Sequence, residues 1–301
     1  MLNHSIVPTA LTPWSFQGST TGFVSGGTGD VNVIQSFSLA SAGNASDYAD
    51  LSVGRRNCGG TVSPTHSYIA GGQSSNVIDR FSNTSSGNAT DVGDLTVSRG
   101  QAGSASSETH GHISGGQSFS NVIDRYSHAS TSNASDWGDL ISGNAGGSGH
   151  SSSDYGWQSG GDATSADNNS LNYIQKYSFA SSGNATDVAD LIGGITNMTG
   201  GVSSSTHGYT MGGANNSSTY SNSIERFSFA STANSTDVGN LLGSQGYHSG
   251  ISGESHGWAC GGYGWSNANV IQRFAYASSG DATDFGDLAT SLSSGTVGTQ
   301  Y

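Results

Sequence analysis

The stretch Ile78–Leu95, IDRFSNTSSGNATDVGDL, occurs six times in this chain. The other copies start at Ile34, Ile123, Ile174, Ile224 and Ile271 and end at Leu51, Leu140, Leu191, Leu241 and Leu288, so Ile and Leu are 17 apart in all six. An aromatic stands three residues after each Ile (Phe37, Phe81, Tyr126, Tyr177, Phe227, Phe274) and an Asp thirteen after it (Asp47, Asp91, Asp136, Asp187, Asp237, Asp284). A Gly-Gly pair precedes every copy, from Gly26-Gly27 to Gly261-Gly262. From one Gly-Gly to the next is 44 to 52 residues, one supersecondary unit per period. Six such units fill residues 14–301 as a single domain, overriding the length prior of about 150 residues per domain. Residues 1–13, with Pro8 and Pro13, read as an extended N-terminal arm.

Composition alone points elsewhere. With 47 glycines and 33% apolar residues the chain could be mistaken for a disordered one, but charged residues are only 10% and the apolar ones recur at fixed positions. The 21 acidic against 8 basic residues exclude the basic stripe that nucleic acid or an anionic membrane surface needs. No apolar run reaches the 18 or so residues of a membrane span, and MLNHSIVPTALTPW lacks the basic and apolar regions of a secretory signal. Cys58 and Cys260 fall at different repeat positions and read as isolated thiols.

Each period reads as four short strands. In the third these are Ala102–Ser107, His112–Gly116, Val122–His128 and Trp137–Leu140, separated by Gly/Asn/Ser turns. The first strand is built of Gly, Ala and Ser, as the narrow end of a wedge-shaped blade requires; bulky residues fall on the second and third, where sheets stack. An apolar strand ending in Gly-Gly, an aromatic strand and a short outer strand together resemble the kelch repeat of β-propellers, over about residues 20 to 295. The outer strand lacks the usual kelch Trp except at Trp137. The variant N-V-I-D-R-F-S with N-A-T-D-V-G-D-L is similar to propeller-repeat proteins of marine tailed bacteriophages, a resemblance that implies a virion protein. The expected fold is therefore an all-β, six-bladed kelch-like propeller. Gly295–Thr299 and Ser15–Ser19 compete for the inner strand of blade 1; register favours the C-terminal segment, pairing near Phe23 to Ser25 and closing the ring.

Three polar positions recur. Arg80, Arg125, Lys176, Arg226 and Arg273 stand two residues after the Ile. They could form a cationic ring for an anion; their regularity favours a repeated Arg–carboxylate bridge to the D-x-x-D pair, such as Asp91 and Asp94. His66, His110, His207 and His256 lie one per blade, which suits turn hydrogen bonds and not a zinc site. Asn44, Asn88, Asn133, Asn184 and Asn234 form sequons, but Asp281 replaces Asn in the sixth copy, which points to side-chain-to-backbone bonding. No acid/base pair departs from the repeat, and neither a sialidase-type arginine cluster nor the Cys/Tyr/His set of a copper-radical oxidase can be assembled. No cofactor or metal is expected.

Function is sought where the repeat varies. Ile to Leu is always 17 and Leu to the next Gly-Gly is 20, once 21, whereas the distance from the second Gly to the Ile varies widely: 7, 6, 7, 13, 11 and 9 residues. In a four-stranded meander those loops share one face, so the long loops of blades 4 to 6, residues 162–173, 214–223 and 263–270, are the expected binding face. They offer Asp162, Asp167, Tyr220, Tyr263 and Trp265. Asp162, Asp167 and Asn168 are oxygen donors of the calcium type, but their irregular spacing favours a bare polar loop. The expected role is a non-enzymatic virion structural or attachment protein, such as a tail-fibre or capsid-decoration module, contacting other virion proteins or a host-surface glycan or receptor. The alternatives are a lectin-like propeller and a glycan-active propeller enzyme.

Overall fold

The computed structural model describes residues 19–163, 171–193, 199–214, 219–266, 269–290 and 295–299; the proposed arm 1–13 lies outside them. The described residues form six four-stranded antiparallel sheets and no helix. Each sheet is a meander from an inner strand at the axis to an outer strand at the rim, and the six make a β-propeller. Blade 3 comprises Gly103–Ser106, His110–Ser114, Val122–Ser127 and Ser135–Asp139. Its second strand starts two residues before the expected boundary, because His110 N–H donates to Ser107 Oγ (3.0 Å) and the turn ends there. It stops short of Gly115 and Gly116, whose φ of 70° and 114° leave the β region.

Both faces of every blade are covered by a neighbour, so burial in the third strand is nearly continuous. The six Ile residues are fully buried, and the residues that follow them (Gln35, Asp79, Asp124, Gln175, Glu225, Gln272) are buried as well. The Ile faces the next blade; its successor faces the preceding one. Apolar side chains collect into six clusters, one in each cleft. Between blades 1 and 2, for example, Phe23, Ile34 and Leu51 meet Ile69 and Phe81.

The axis explains the small residues of the inner strands. Gly60, Gly149, Gly201, Gly250 and Gly298 form a ring, with Ser104 in the sixth place, and a Cβ on any of these glycines would collide with a neighbouring inner strand. The serines do more than save space. Val62 N–H donates to Ser106 Oγ, Ser106 N–H to Ser151 Oγ, Ser151 N–H to Ser203 Oγ and Ser203 N–H to Ser252 Oγ, at 2.9 to 3.0 Å.

Two further bonds recur at every blade interface. The side-chain oxygen of the residue after the Ile accepts the N–H of the residue after the preceding blade's Leu. The six pairs are Ser52–Asp79, Thr96–Asp124, Ile141–Gln175, Ile192–Glu225, Leu242–Gln272 and Ala289–Gln35, at 2.6 to 3.0 Å. The sequon Asn, or Asp281 in the sixth copy, accepts the N–H of the last outer-strand residue of the preceding blade, as Asn133 does from Asp94 and Asn44 from Asp287 (both 3.1 Å). Side-chain-to-backbone bonding at that Asn is thus as expected, but its partner is the neighbouring blade and not its own turn.

Closure follows the C-terminal route. Val297–Thr299 occupies the inner position of blade 1, with Phe23 opposite Thr299 and Ser25 opposite Val297. Without it the second strand of blade 1 is an open edge and two clefts lose a wall. Deleting residues 295–301 is expected to lower the melting temperature sharply, read by circular dichroism; an unchanged melting temperature would contradict closure by this segment.

Candidate functional site

The inner strands of all six blades begin on the face that carries the variable loops, and they surround the mouth of an axial channel. Among the described residues the mouth is edged by an arc of backbone hydrogen bonds from blade 6 through blade 1 to blade 4. Asn57 N–H donates to Gly295 C=O, Gln101 to Asn57, Gly146 to Gln101 and Gly295 to Tyr247, at 2.7 to 3.0 Å. Passing a bond from blade to blade turns these residues into the left-handed region: φ is 58° at Asn57, 57° at Gln101, 75° at Gly146, 60° at Tyr247 and 72° at Gly295. Gly and Asn adopt that conformation at little cost; a bulky aromatic does not. Below the mouth a cavity of about 120 Å³ narrows to the glycine ring, beyond which a second cavity of about 90 Å³ opens to the opposite face.

The long loops lean on this mouth. Asp162 and Ala145 exchange backbone bonds of 3.0 and 2.8 Å, as do Tyr263 and Gly246 at 2.8 and 2.9 Å, which pins the loops of blades 4 and 6 to the segments entering the inner strands. Tyr220 of blade 5 meets Tyr263 edge-on, ring centres 5.8 Å apart. Tyr247 lies close enough to Asp162 and Tyr263 that, after burial as the main cause, both hold its phenol above the ordinary value. Of the expected binding residues, then, Asp162, Tyr220 and Tyr263 are brought together. Trp265 is half-buried, and one face of its indole is covered by Gly243, where a Cβ would come within 2.5 Å of the ring. Asp167 and Asn168 lie outside the described residues. Among the described residues, no three His, Cys, Asp or Glu side chains gather in a metal-binding group.

Tyr247 and His248 belong to this site but not to the loops, so loop length did not reveal them. Their signal was departure from the repeat. Asn57, Gln101, Gly146 and Gly295 stand where Tyr247 does; Cys58, Ala102, Gly147, Thr199 and Thr296 stand where His248 does. Cys58 is a free thiol, pushed up to about 12 by burial, and Cys260 is free and buried too.

The expected bridge between the repeated Arg and the D-x-x-D pair does not form. Register is the reason. Arg80 stands opposite Thr90, whereas Asp91 and Asp94 stand opposite Asp79 and Val77, which puts both carboxylates on the other face of the sheet. The cations rest on aromatic side chains instead: the Arg125 guanidinium lies 3.6 Å from the Trp137 ring centre and that of Arg273 4.5 Å from Phe285. The Lys176 ammonium lies 4.7 Å from the Tyr155 ring centre. Arg226 stands opposite Tyr209 in register, as Arg80 stands opposite Tyr68. The His position is the first residue of the second strand, its Nδ1 held 2.8 Å from the hydroxyl of Thr65, Thr109, Thr206 or Ser255.

The buried ion pairs are made by arginines outside the repeat position. Arg55 binds Asp79, and Arg99 Nη2 binds Asp124 Oδ2 at 3.0 Å, all four side chains being at most 1% exposed. Arg99 Nη1 also donates to the carbonyls of Gly115 and Val122, tying the Gly-Gly turn to the preceding linker. Burial pushes the Asp124 carboxyl up and the Arg99 guanidinium down, each opposed by the other's charge.

Neither a known family model nor a curated protein matches the chain. Arg99→Ala, which strands Asp124, is expected to destabilise the protein by about 3–5 kcal/mol, whereas Arg125→Ala, which removes a half-exposed cation from an indole, costs about 1 kcal/mol. Chemical denaturation of the two variants checks this, and equal losses would contradict the assignment.

Proposed function

We propose that this propeller is a non-enzymatic binding module that meets its partner with the loop face, and that it serves as a structural or attachment protein of a virion. The observation that carries the reading is the placement of exposed apolar side chains. Among the described residues seven large ones are exposed, and six of them (Val53, Val97, Ile141, Ile192, Leu242 and Tyr263) lie on the loop face. The first five follow the outer strands of blades 1 to 5, one per blade, and are 41 to 58% exposed. On a surface otherwise dominated by Ser, Thr, Asn, Gly and Asp, a circle of aliphatics on one face supports contact with protein.

The virion assignment rests on the repeat's resemblance to phage propellers and on a surface with a single lysine. Tail-fibre and capsid-decoration modules both fit, with other virion proteins or a host receptor as partners and no role for nucleic acid or membrane insertion. The tyrosines around the mouth favour a second reading, a lectin-like propeller for a host-surface glycan.

Replacing Val53, Val97, Ile141, Ile192 and Leu242 by Ser tests the first reading. Because the side chains are exposed, the variant is expected to melt with the wild type while losing association with purified particles of the encoding virus and with host cells. Undiminished association, or none by the wild type, would overturn it.

A further inference from the structure

The mouth of the axial channel is built asymmetrically, and the asymmetry has the form of a ligand site. On blade 6 the wall is Tyr247 over His248. On blade 4 the same two positions are Gly146 and Gly147, and the wall is missing. Thr199 and Thr296 flank His248 on the neighbouring blades, and the glycine ring with Ser104 is the floor.

Two observations are independent of the loops. The first is Tyr247 itself. Its φ is 60°, its carbonyl accepts the mouth bond from Gly295, and glycine fills the same position on blades 1 and 4. Bulky residues are held in such a conformation where the side chain is needed. The second is His248. It is 4% exposed and borders the cavity, its ring edge resting over Gly200 and Gly212 of blade 5, and neither ring nitrogen has a protein partner. The Thr296 hydroxyl, also lining the cavity and buried, has none either. Buried polar groups are ordinarily satisfied, so these two call for hydrogen bonds from something in the cavity. At about 120 Å³ the cavity far exceeds what one buried water needs, roughly 10–15 Å³.

The lining decides the chemistry. No Lys or Arg lines the cavity, and Asp162 stands beside Tyr247, so an anion is disfavoured. Burial lowers the His248 imidazole to about 4, so at neutral pH it is uncharged, with one nitrogen donating and the other accepting. The Thr296 hydroxyl and the amide of Gln101 add further groups that both donate and accept, as does the Thr199 hydroxyl, which already shares one hydrogen bond with Ser148 Oγ at 2.5 Å. An aromatic ring above such a set suits the apolar face of a pyranose.

From this geometry we infer that the channel mouth binds one uncharged sugar residue, stacked on Tyr247 and hydrogen-bonded by His248, Thr199 and Thr296, with Tyr220 and Tyr263 extending the site outward. The inference deepens the reading of the loop face as the binding face and rests on it, but it does not involve the aliphatic circle.

The test is saturation-transfer NMR on the full chain with glucose, galactose, mannose and N-acetylglucosamine, and with N-acetylneuraminate and choline as charged comparators. At least one neutral sugar should receive saturation, and Tyr247→Gly should weaken it about tenfold or more. The same variant should melt at or above the wild-type temperature, because glycine relieves the φ. His248→Ala should also abolish transfer. Transfer to the charged probes only, to none of the six, or undiminished transfer in Tyr247→Gly would overturn the site. Sugar binding that survives Ser replacement of the five aliphatics separates this proposal from the fate of the protein-docking reading.

Discussion

Where an outer strand ends, the chain passes from the rim of one blade toward the axis of the next, and its first N–H points into the cleft between two sheets. That group has no strand to pair with, and a buried N–H left unpaired costs on the order of 1–3 kcal/mol. In all six clefts the acceptor is the side chain after the Ile of the following blade. It is Asp twice, Gln three times and Glu once. What is preserved is therefore an oxygen at the right reach, not a charge. Where the oxygen belongs to an aspartate, the preceding linker supplies Arg55 or Arg99 to neutralise it in the dry cleft. Where it belongs to Gln175 or Gln272, the equivalent linker positions are the uncharged Asn144 and Gln245. A carboxylate alone would be a buried charge, and an arginine alone would be another; the two appear together or not at all in these four clefts.

This lock and the Asn lock beside it fix each blade to both neighbours, so the face of the ring is free to vary. The acidity has a structural use as well. Eleven of the 21 acidic residues are aspartates at two positions of the outer strand, from Asp47 and Asp50 to Asp284 and Asp287. Outer strands are exposed edges, and charge on an edge discourages pairing with another chain. The net charge of −13 thus describes six protected edges and gives little information about the partner. Blades 4, 5 and 6 depart from the repeat instead, in their longer loops and at Tyr247 and His248.

Period, blade count, strand number and closing strand were all legible in the sequence, because each is expressed six times or follows from counting residues. The partners of the repeated polar residues were not. Arg80 and Asp91 are eleven apart and opposite in charge, which suggests a bridge; a bulge after Ile78 sets a register that places them on opposite faces of the sheet. Arg99 and Asp124 form a buried pair that no repeat rule announces, because neither position is charged in most copies. Of the candidate site, loop length pointed to Asp162, Tyr220 and Tyr263, which the fold brings together at the mouth. The seat of the Trp265 indole on Gly243 was not legible, because an aromatic in a polar loop gives no sign of the bare glycine beneath it. Tyr247 shows in the sequence only as a departure from the repeat, and its φ of 60° is visible only in the assembled mouth.

The central claim is that six equivalent side-chain-to-backbone locks, one of them across the point of closure, hold the blades as one body. Amide hydrogen exchange of Ser52, Thr96, Ile141, Ile192, Leu242 and Ala289 tests it most directly. These amides border loops and stand beside exposed side chains. All six, Ala289 included, should be protected to the level of the third-strand amides, while Val53 and Val97 exchange freely. Rapid exchange at the six, or protection at five with Ala289 unprotected, would contradict it.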